Sequence, residues 1–231
     1  MAILINNKKP VIFCDFDGTI TEHDVIQMIM AEFAPPQWKD IVSEILDART
    51  LSIKDGIVKL FDLIPSNLEP KITEFVLREV KLRKGFDDFM GFCKHNEIPF
   101  LVVSGGVDFF IRPVLAKYKN QIEIFSNLAS FDAENMTLSM PYLPKDCPDC
   151  NECACCKQEV MKTYLSSEYF RISIGDSLTD LGASKLADLA FARARLLDYT
   201  KAENIPVQPF DNFDDVKEHL ERLIHESPVI A

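Results

Sequence analysis

Residues 11–20 read VIFCDFDGTI. Four apolar residues run into two aspartates set one residue apart, then a glycine and a threonine. An unbroken apolar run such as Val11–Cys14 predicts a strand covered on both faces, because a strand with one wet face would alternate apolar and polar residues. Asp15-Phe16-Asp17-Gly18-Thr19 falls where that strand ends. Asp-Gly is a common turn pair, so this stretch alone marks no more than a strand running into a turn.

Working outward, the same pattern recurs. Short apolar runs at Phe100–Val103, Ile122–Phe125, Ile172–Ile174 and Leu189–Ala192 predict further strands. Helical periodicity lies between and after them, at Asp87–Glu97, Phe109–Tyr118, Glu159–Leu165, Asp180–Leu186 and Asp214–Glu226. Strand and helix in alternation predict an α/β fold, a Rossmann-like parallel sheet wound by right-handed crossovers. The interval between Cys14 and Phe100 is too long for one crossover. It reads as helices at Asp24–Phe33, Gln37–Leu46, Ile53–Ile64 and Pro70–Leu82, punctuated by Pro35-Pro36 and Pro65. Residues 21–83 are therefore expected to form an inserted helical-bundle cap. Residues 1–20 and 84–231 would form the core, with the cap over the carboxyl edge of the sheet, where open α/β folds bind ligands.

Composition bounds the function. A chain of 231 residues that is 47% hydrophobic can bury one domain core with an insertion. No apolar run approaches the ~18 residues that a membrane span needs. The opening MAILINNKKPV lacks the features of a signal peptide, so the cytoplasm is the expected compartment. Thirty-six acidic against 25 basic residues give a net charge of −11. Such a surface repels phosphate backbones, and no basic stripe relieves it, so neither nucleic acid nor anionic membrane is an expected partner. An anionic substrate would then need local positive charge, from a metal or a well-placed lysine.

Two more strand ends supply candidates for that site. Gly175-Asp176-Ser177-Leu178-Thr179-Asp180 follows an apolar strand and opens a helix, and the strand at Phe100 ends in Ser104-Gly105-Gly106. Parallel strands bring these ends to one edge. Asp15, Asp17, Asp176, Asp180 and Ser104 are expected to converge there. Carboxylates so close repel unless a cation sits among them, and oxygen-only ligands favour a hard ion such as Mg2+. The Ser104 hydroxyl and the Gly105 amide can donate to phosphoryl oxygens, which a side chain at 105 would crowd.

Taken together, CDFDGT (14–19), VVSGG (102–106), a lysine opening a helix at Lys157 and GDSLTD (175–180) resemble the four motifs of the haloacid dehalogenase-like phosphatases, in the family's order. The resemblance implies that Asp15 is a nucleophile forming an aspartyl-phosphate. It implies that Asp17 protonates the leaving oxygen and then activates water. Asp15, the Asp17 carbonyl and Asp176 would hold Mg2+, with Asp180 a further ligand or a carboxylate just behind the ligands. Lys157 would offset charge on the transferring phosphoryl group. Alone, Lys157 reads as a solvated lysine at a helix start.

FAPPQW (33–38), TLSIKDGI (50–57), EIPFLVVSGGVDFF (97–110) and CACCK (153–157) are similar to the family's methionine-salvage branch of bacilli. Those enzymes act on 2-hydroxy-3-keto-5-methylthiopentenyl-1-phosphate. The phosphoserine and phosphoethanolamine/phosphocholine branches share the catalytic motifs and less of the cap. The expected partner is thus a small phosphorylated metabolite, taken by a monomer or a homodimer. A binding protein that keeps the fold without turnover is the other class, disfavoured by Asp15, Asp17, Lys157 and Asp176 occurring together. In the cap, Met28, Met30, Phe33, Trp38 and Phe61 could line an apolar pocket, although such stripes are usually bundle core. Glu22 and Asp24 could reach the substrate, Asp24 reading more readily as a helix cap.

Cysteine is the last signal. Five of seven cysteines crowd into a loop spanning 141–157: Cys147, Cys150, Cys153, Cys155 and Cys156. An odd total argues against a disulfide framework. Structural Zn2+, an iron–sulfur group and reduced thiols all stay open on spacing. His23, His95, His219 and His225 are scattered and read as structural or surface residues.

Overall fold

The computed structural model describes residues 3–144 and 153–226. Its centre is a seven-stranded sheet in the order β4-β3-β2-β1-β5-β6-β7. The strands are β1 (Lys9–Cys14), β2 (Phe100–Val107), β3 (Ile122–Ser130), β4 (Thr137–Ser139), β5 (Tyr169–Gly175), β6 (Leu189–Ala192) and β7 (Gln208–Pro209). All neighbours pair in parallel except β3 and β4. β1 lies between β2 and β5, with Ile12 opposite both Phe100 and Ile172. The chain order reverses at this point, which opens a crevice at the carboxyl ends of β1 and β5.

The apolar run in β1 serves two cores. Ile12 and Cys14 join Phe86, Phe89, Phe100, Phe213 and Leu220 on one face. Val11 and Phe13 join Leu101, Val160, Met161 and Ala183 on the other. Helices α5 (Phe86–His95), α6 (Asp108–Val114) and α10 (Phe213–Glu226) supply the first face, and α7 (Lys157–Lys162) and α8 (Leu181–Leu186) the second. Both faces being covered explains why β1 has no polar alternation.

Between β1 and β2 lie α1 (Val25–Phe33), α2 (Trp38–Leu46), α3 (Ile53–Asp62) and α4 (Glu69–Glu79). Asp24 caps α1, its Oδ1 accepting from Gln27 N at 2.9 Å, as its reading as a helix cap implies. Met30, Phe33, Trp38 and Phe61 pack into the main core, while Met28 stays half-buried. Phe33 meets Phe75 of α4 edge-on, and Phe61 meets Phe109 of α6. This stripe therefore does bundle packing. His23, His95 and His225 are exposed, and His219 lies against the Phe191 ring.

Three elements lacked a sequence signal: β4, β7 and α9 (Ala194–Ala202). Thr137-Leu138-Ser139 and Gln208-Pro209 are short and largely polar edge strands. α9 opens on Ala194 at φ +46°, which no helix start signal announces. α7 begins at Lys157, two residues before its expected start, because Lys157 itself occupies the first turn.

Candidate active site

Where β1 ends, the chain turns sharply through Asp15–Ile20. Gly18 makes the turn possible. Its φ of +72° suits glycine, and a Cβ there would lie 2.6 Å from Asp176 Oδ2. Asp15 is buried, its Oδ1 accepting from Phe16 N at 2.8 Å and its Oδ2 facing Lys157 Nζ at 2.7 Å. Lys157 also bonds Asp180 Oδ1. The other Asp180 oxygen accepts from the main-chain N–H of Asp176 at 3.1 Å and of Ser177 at 3.0 Å. Asp180 thus has both oxygens occupied. It fixes the lysine and the backbone that presents Asp176.

Asp15, Asp176 and Asp180 each offer a carboxylate oxygen, and the three lie within 4.8 Å of one another. Among the described residues no other set of three His, Cys, Asp or Glu meets that spacing. The expected convergence of four carboxylates is thereby narrowed to three. Asp17 lies outside that set: its Oδ1 accepts from Val25 N at the start of α1 at 2.9 Å, and its Oδ2 faces the Gly106 turn.

Burial sets the electrostatics. It pushes the Asp15 carboxyl up, helped by Asp180 and opposed by Lys157. Burial also raises Asp17, with Asp24 and Asp15 adding to it. Asp176 is raised to about 6, by burial and then by Asp180, while the Thr19 hydroxyl at 2.9 Å works against this. Burial opposes the Lys157 ammonium, but Asp15 and Asp180 override it and hold its pKa above the ordinary lysine value. A cluster of this kind, whose carboxyls are pushed toward protonation, would bind a cation readily once deprotonated.

At the end of β2, Ser104 is fully buried and its Oγ accepts from Gly106 N at 2.9 Å, which leaves its proton to donate. Asn127 Nδ2 donates to the Gly105 carbonyl at 2.8 Å and orients that peptide. Gly105 would tolerate a methyl, meeting Ala154 Cβ at 3.5 Å and Ile57 Cδ1 at 4.0 Å. Gly106 is the crowded glycine: a Cβ there would lie 2.7 Å from Asp17 Oδ2.

Of the cysteine loop, Cys147 and Cys150 fall outside the described residues. Cys153, Cys155 and Cys156 are buried, and burial pushes the Cys155 thiol up to about 12.

Sequence reasoning did not anticipate Thr19, Arg83 or Arg193. Arg83 donates to the carbonyls of Gly18 and Thr19 at 2.7 Å and of Thr21 at 2.8 Å, and Arg193 donates to Gly18 at 2.7 Å. Burial and then Arg193 lower the Arg83 pKa. Bonds to main-chain carbonyls leave no motif in a sequence.

A parallel sheet with a carboxylate-lysine cluster at its switch point defines a class of phosphoryl-transfer fold. Residues 10–213 match the family described as "Putative Phosphatase", and the chain belongs to that family. It is 42% identical over 94% of its length to the 2-hydroxy-3-keto-5-methylthiopentenyl-1-phosphate phosphatase of Bacillus velezensis, covering 92% of that protein. The protein of the same name from Geobacillus thermodenitrificans is 42% identical over 94% of this chain and 97% of its own. Among solved structures, a phosphoserine phosphatase with bound substrate superposes with a TM-score of 0.69 at 20% identity, covering 93% of this chain and 98% of that one. A phospho-aspartyl intermediate analogue of phosphoserine phosphatase gives 0.68 at 20% identity, over 93% and 99%. These structures share the fold. No helix among the described residues is long and apolar enough to cross a membrane.

Proposed function

We propose that this chain is a Mg2+-dependent phosphomonoesterase that hydrolyses 2-hydroxy-3-keto-5-methylthiopentenyl-1-phosphate, a methionine-salvage step, through an aspartyl-phosphate on Asp15. The observation that carries the chemistry is the buried contact of Asp15 with Lys157, 2.7 Å apart, beside Asp176 and Asp180. The names of relatives about 42% identical over nearly the whole chain support the substrate.

The donor set fits a hard cation: carboxylate oxygens of Asp15 and Asp176 and the main-chain carbonyl of Asp17, all oxygen. When bound, Mg2+ supplies charge neutralisation between the nucleophile and the phosphoryl oxygens. Asp180, the third carboxylate of the set, is a further ligand or the carboxylate behind the ligands that fixes Lys157 and two amides.

An Asp15 oxygen attacks phosphorus while the bond to the substrate oxygen breaks. Asp17, whose pKa burial raises, gives its proton to that leaving oxygen; its carboxylate then takes a proton from the water that attacks phosphorus as the Asp15–phosphorus bond breaks and phosphate leaves. Lys157, the Ser104 hydroxyl and the Gly105 amide stabilise the charge on the phosphoryl oxygens. Residues 21–83 act as the cap, with Ile57 reaching over the Gly105 turn. The partner is a small metabolite, with no role for nucleic acid.

The test is inorganic phosphate release across the methylthio enol phosphate, phosphoserine and phosphoethanolamine, with and without Mg2+. The expected result is the highest kcat/KM on the enol phosphate and none after chelation. A preference for phosphoserine would overturn the substrate, and full activity in EDTA would overturn the metal.

A further inference from the structure

The chain crosses between the sheet and the helical insertion twice, and the two crossings run side by side. Thr21 pairs with Leu82 in an antiparallel bridge, Arg83 N donates to Ile20 O at 2.7 Å, and Glu22 N donates to Lys81 O at 3.0 Å. From this ribbon the Arg83 side chain, 8% exposed, folds back onto the turn that follows Asp15. It meets no carboxylate among the described residues. Its Nε takes the Thr19 carbonyl at 2.7 Å, and its Nη2 takes those of Gly18 at 2.7 Å and Thr21 at 2.8 Å.

From the opposite side, Arg193 Nη1 takes the same Gly18 carbonyl at 2.7 Å. Its Nε is buried without a partner. The residue after it, Ala194, has φ +46°, a conformation that L side chains rarely adopt. Two guanidinium groups on one carbonyl repel each other, and burial removes the water that would screen them. Such an arrangement persists where the carbonyl must stay in one place. The Asp17–Gly18 peptide shares this restraint, since its N–H donates to Thr21 Oγ1 at 3.1 Å.

We infer that Arg83 and Arg193 are positioning residues for the reaction. They clasp the Gly18 carbonyl and thereby hold the preceding Asp17 carbonyl toward the cation, and Arg83 ties that placement to the root of the helical insertion. This rests on the metal-dependent reading above. Groups that orient metal ligands typically change metal affinity or activity ~10–100-fold when removed. Arg83 spans four carbonyls, with Glu22 O at 3.4 Å the longest, that a lysine's single ammonium cannot reach together, whereas Arg193 makes one bond that a lysine can replace.

The test uses the full chain with Arg193→Ala, Arg193→Lys, Arg83→Ala and Arg83→Lys. Mg2+ affinity is measured by calorimetry without substrate, alongside kcat, KM and Tm. Arg193→Ala should weaken Mg2+ about 10-fold and lower kcat at saturating Mg2+ by a similar factor, with KM nearly unchanged. Arg193→Lys should recover most of both. Arg83→Lys should not recover, staying ~30–100-fold below wild type. Should Arg83→Ala fail to fold, the Arg193 pair decides. Variants that lose Tm but keep wild-type Mg2+ affinity and kcat would overturn the inference, as would equal behaviour of the two lysine variants. A wild type that binds Mg2+ yet releases no phosphate would sink the functional reading and leave the calorimetric comparison standing. No Mg2+ binding by wild type would overturn both.

Discussion

Lys157, beside the sheet edge, is 5% exposed and bonds two buried carboxylates, whereas α2, in the insertion, has no buried residue at all. The two regions answer to different physics. At the sheet edge, unpaired charge in a dry site would cost several kcal/mol, so Asp15, Lys157 and Asp180 are each paired, with few alternatives. In the insertion, α2 rests on α3 through half-buried Ile41, Val42 and Ile45, and small shifts there cost little. The edge is suited to chemistry that tolerates no misplacement. The insertion is suited to contact with the substrate's variable part.

The sharpest way to break this contrast is Asp15→Asn. Removing the nucleophile eliminates the covalent route, so phosphate release should fall by at least about 10⁴-fold, while Mg2+ binding is weakened but measurable. Near-normal turnover, in protein shown by mass spectrometry to be free of deamidation, would remove Asp15 from the mechanism.

Next in size is Lys157→Met. The Asp15 and Asp180 carboxylates would then face each other without a cation between them. The Asp15 pKa, already raised by burial and Asp180, would lose the opposing effect of Lys157 and climb further. Turnover at neutral pH should drop ~10²–10³-fold. It should recover in part as pH rises, because alkali restores the carboxylate. Lys39→Met, at an exposed position beside Trp38 of the insertion, should leave turnover nearly unchanged and stay within about 0.5 kcal/mol of wild-type stability. Equal losses in the two variants would erase the distinction between the regions.

The parts of the molecule that were legible in the sequence follow the same division. β1, β2 and β5 announce themselves because a strand buried on both faces must be continuously apolar. Asp15 and Asp176 could be expected together because each follows a strand end, where topology fixes position, whereas Lys157 was named only through the resemblance of its motif. The bond from Val25 N to the Asp17 carboxylate left no sequence signal, since it depends on where α1 starts in space. Arg83 and Arg193 escaped altogether because main-chain carbonyls accept from any donor and impose no spacing. β4 and β7 are too short and polar for periodicity to register.

A smaller effect sharpens the electrostatic side. Asp176 is raised to about 6 in the folded chain from an ordinary value near 4. The folded state therefore binds the proton more tightly than the unfolded state. The Asp176 share of stability without metal should be lost as pH rises from about 4 to about 6, and Asp15 and Asp17, also raised by burial, extend the fall. Mg2+ should restore it at pH 7, where the carboxylate is free to bind. Thermal melts with EDTA and with Mg2+ across this window check both signs. A metal-free melting temperature that rises with pH through the window would contradict the assignment to Asp176, provided that Asp176→Asn removes the dependence.

The smallest expected effect lies where the two regions touch. Ile57, on α3, is the insertion residue whose Cδ1 would stand 4.0 Å from a methyl at Gly105. It is 7% exposed and shares the main core, so it is held by packing rather than by charge. Ile57→Val removes one methylene without altering polarity or the machinery at the edge. Such a change in a core usually costs about 0.5–1.5 kcal/mol, and a methylene's worth of contact in a substrate pocket is of similar size. KM for the methylthio enol phosphate should therefore rise about 3- to 10-fold, with kcat nearly constant. KM for phosphoserine, whose ammonium and carboxylate gain nothing from an apolar wall, should move less than about twofold. Steady-state kinetics on both substrates decide it. A fall in kcat with KM unchanged would mean that Ile57 sets the geometry of the Gly105 turn, and the insertion would then share in the chemistry that the contrast assigns to the edge.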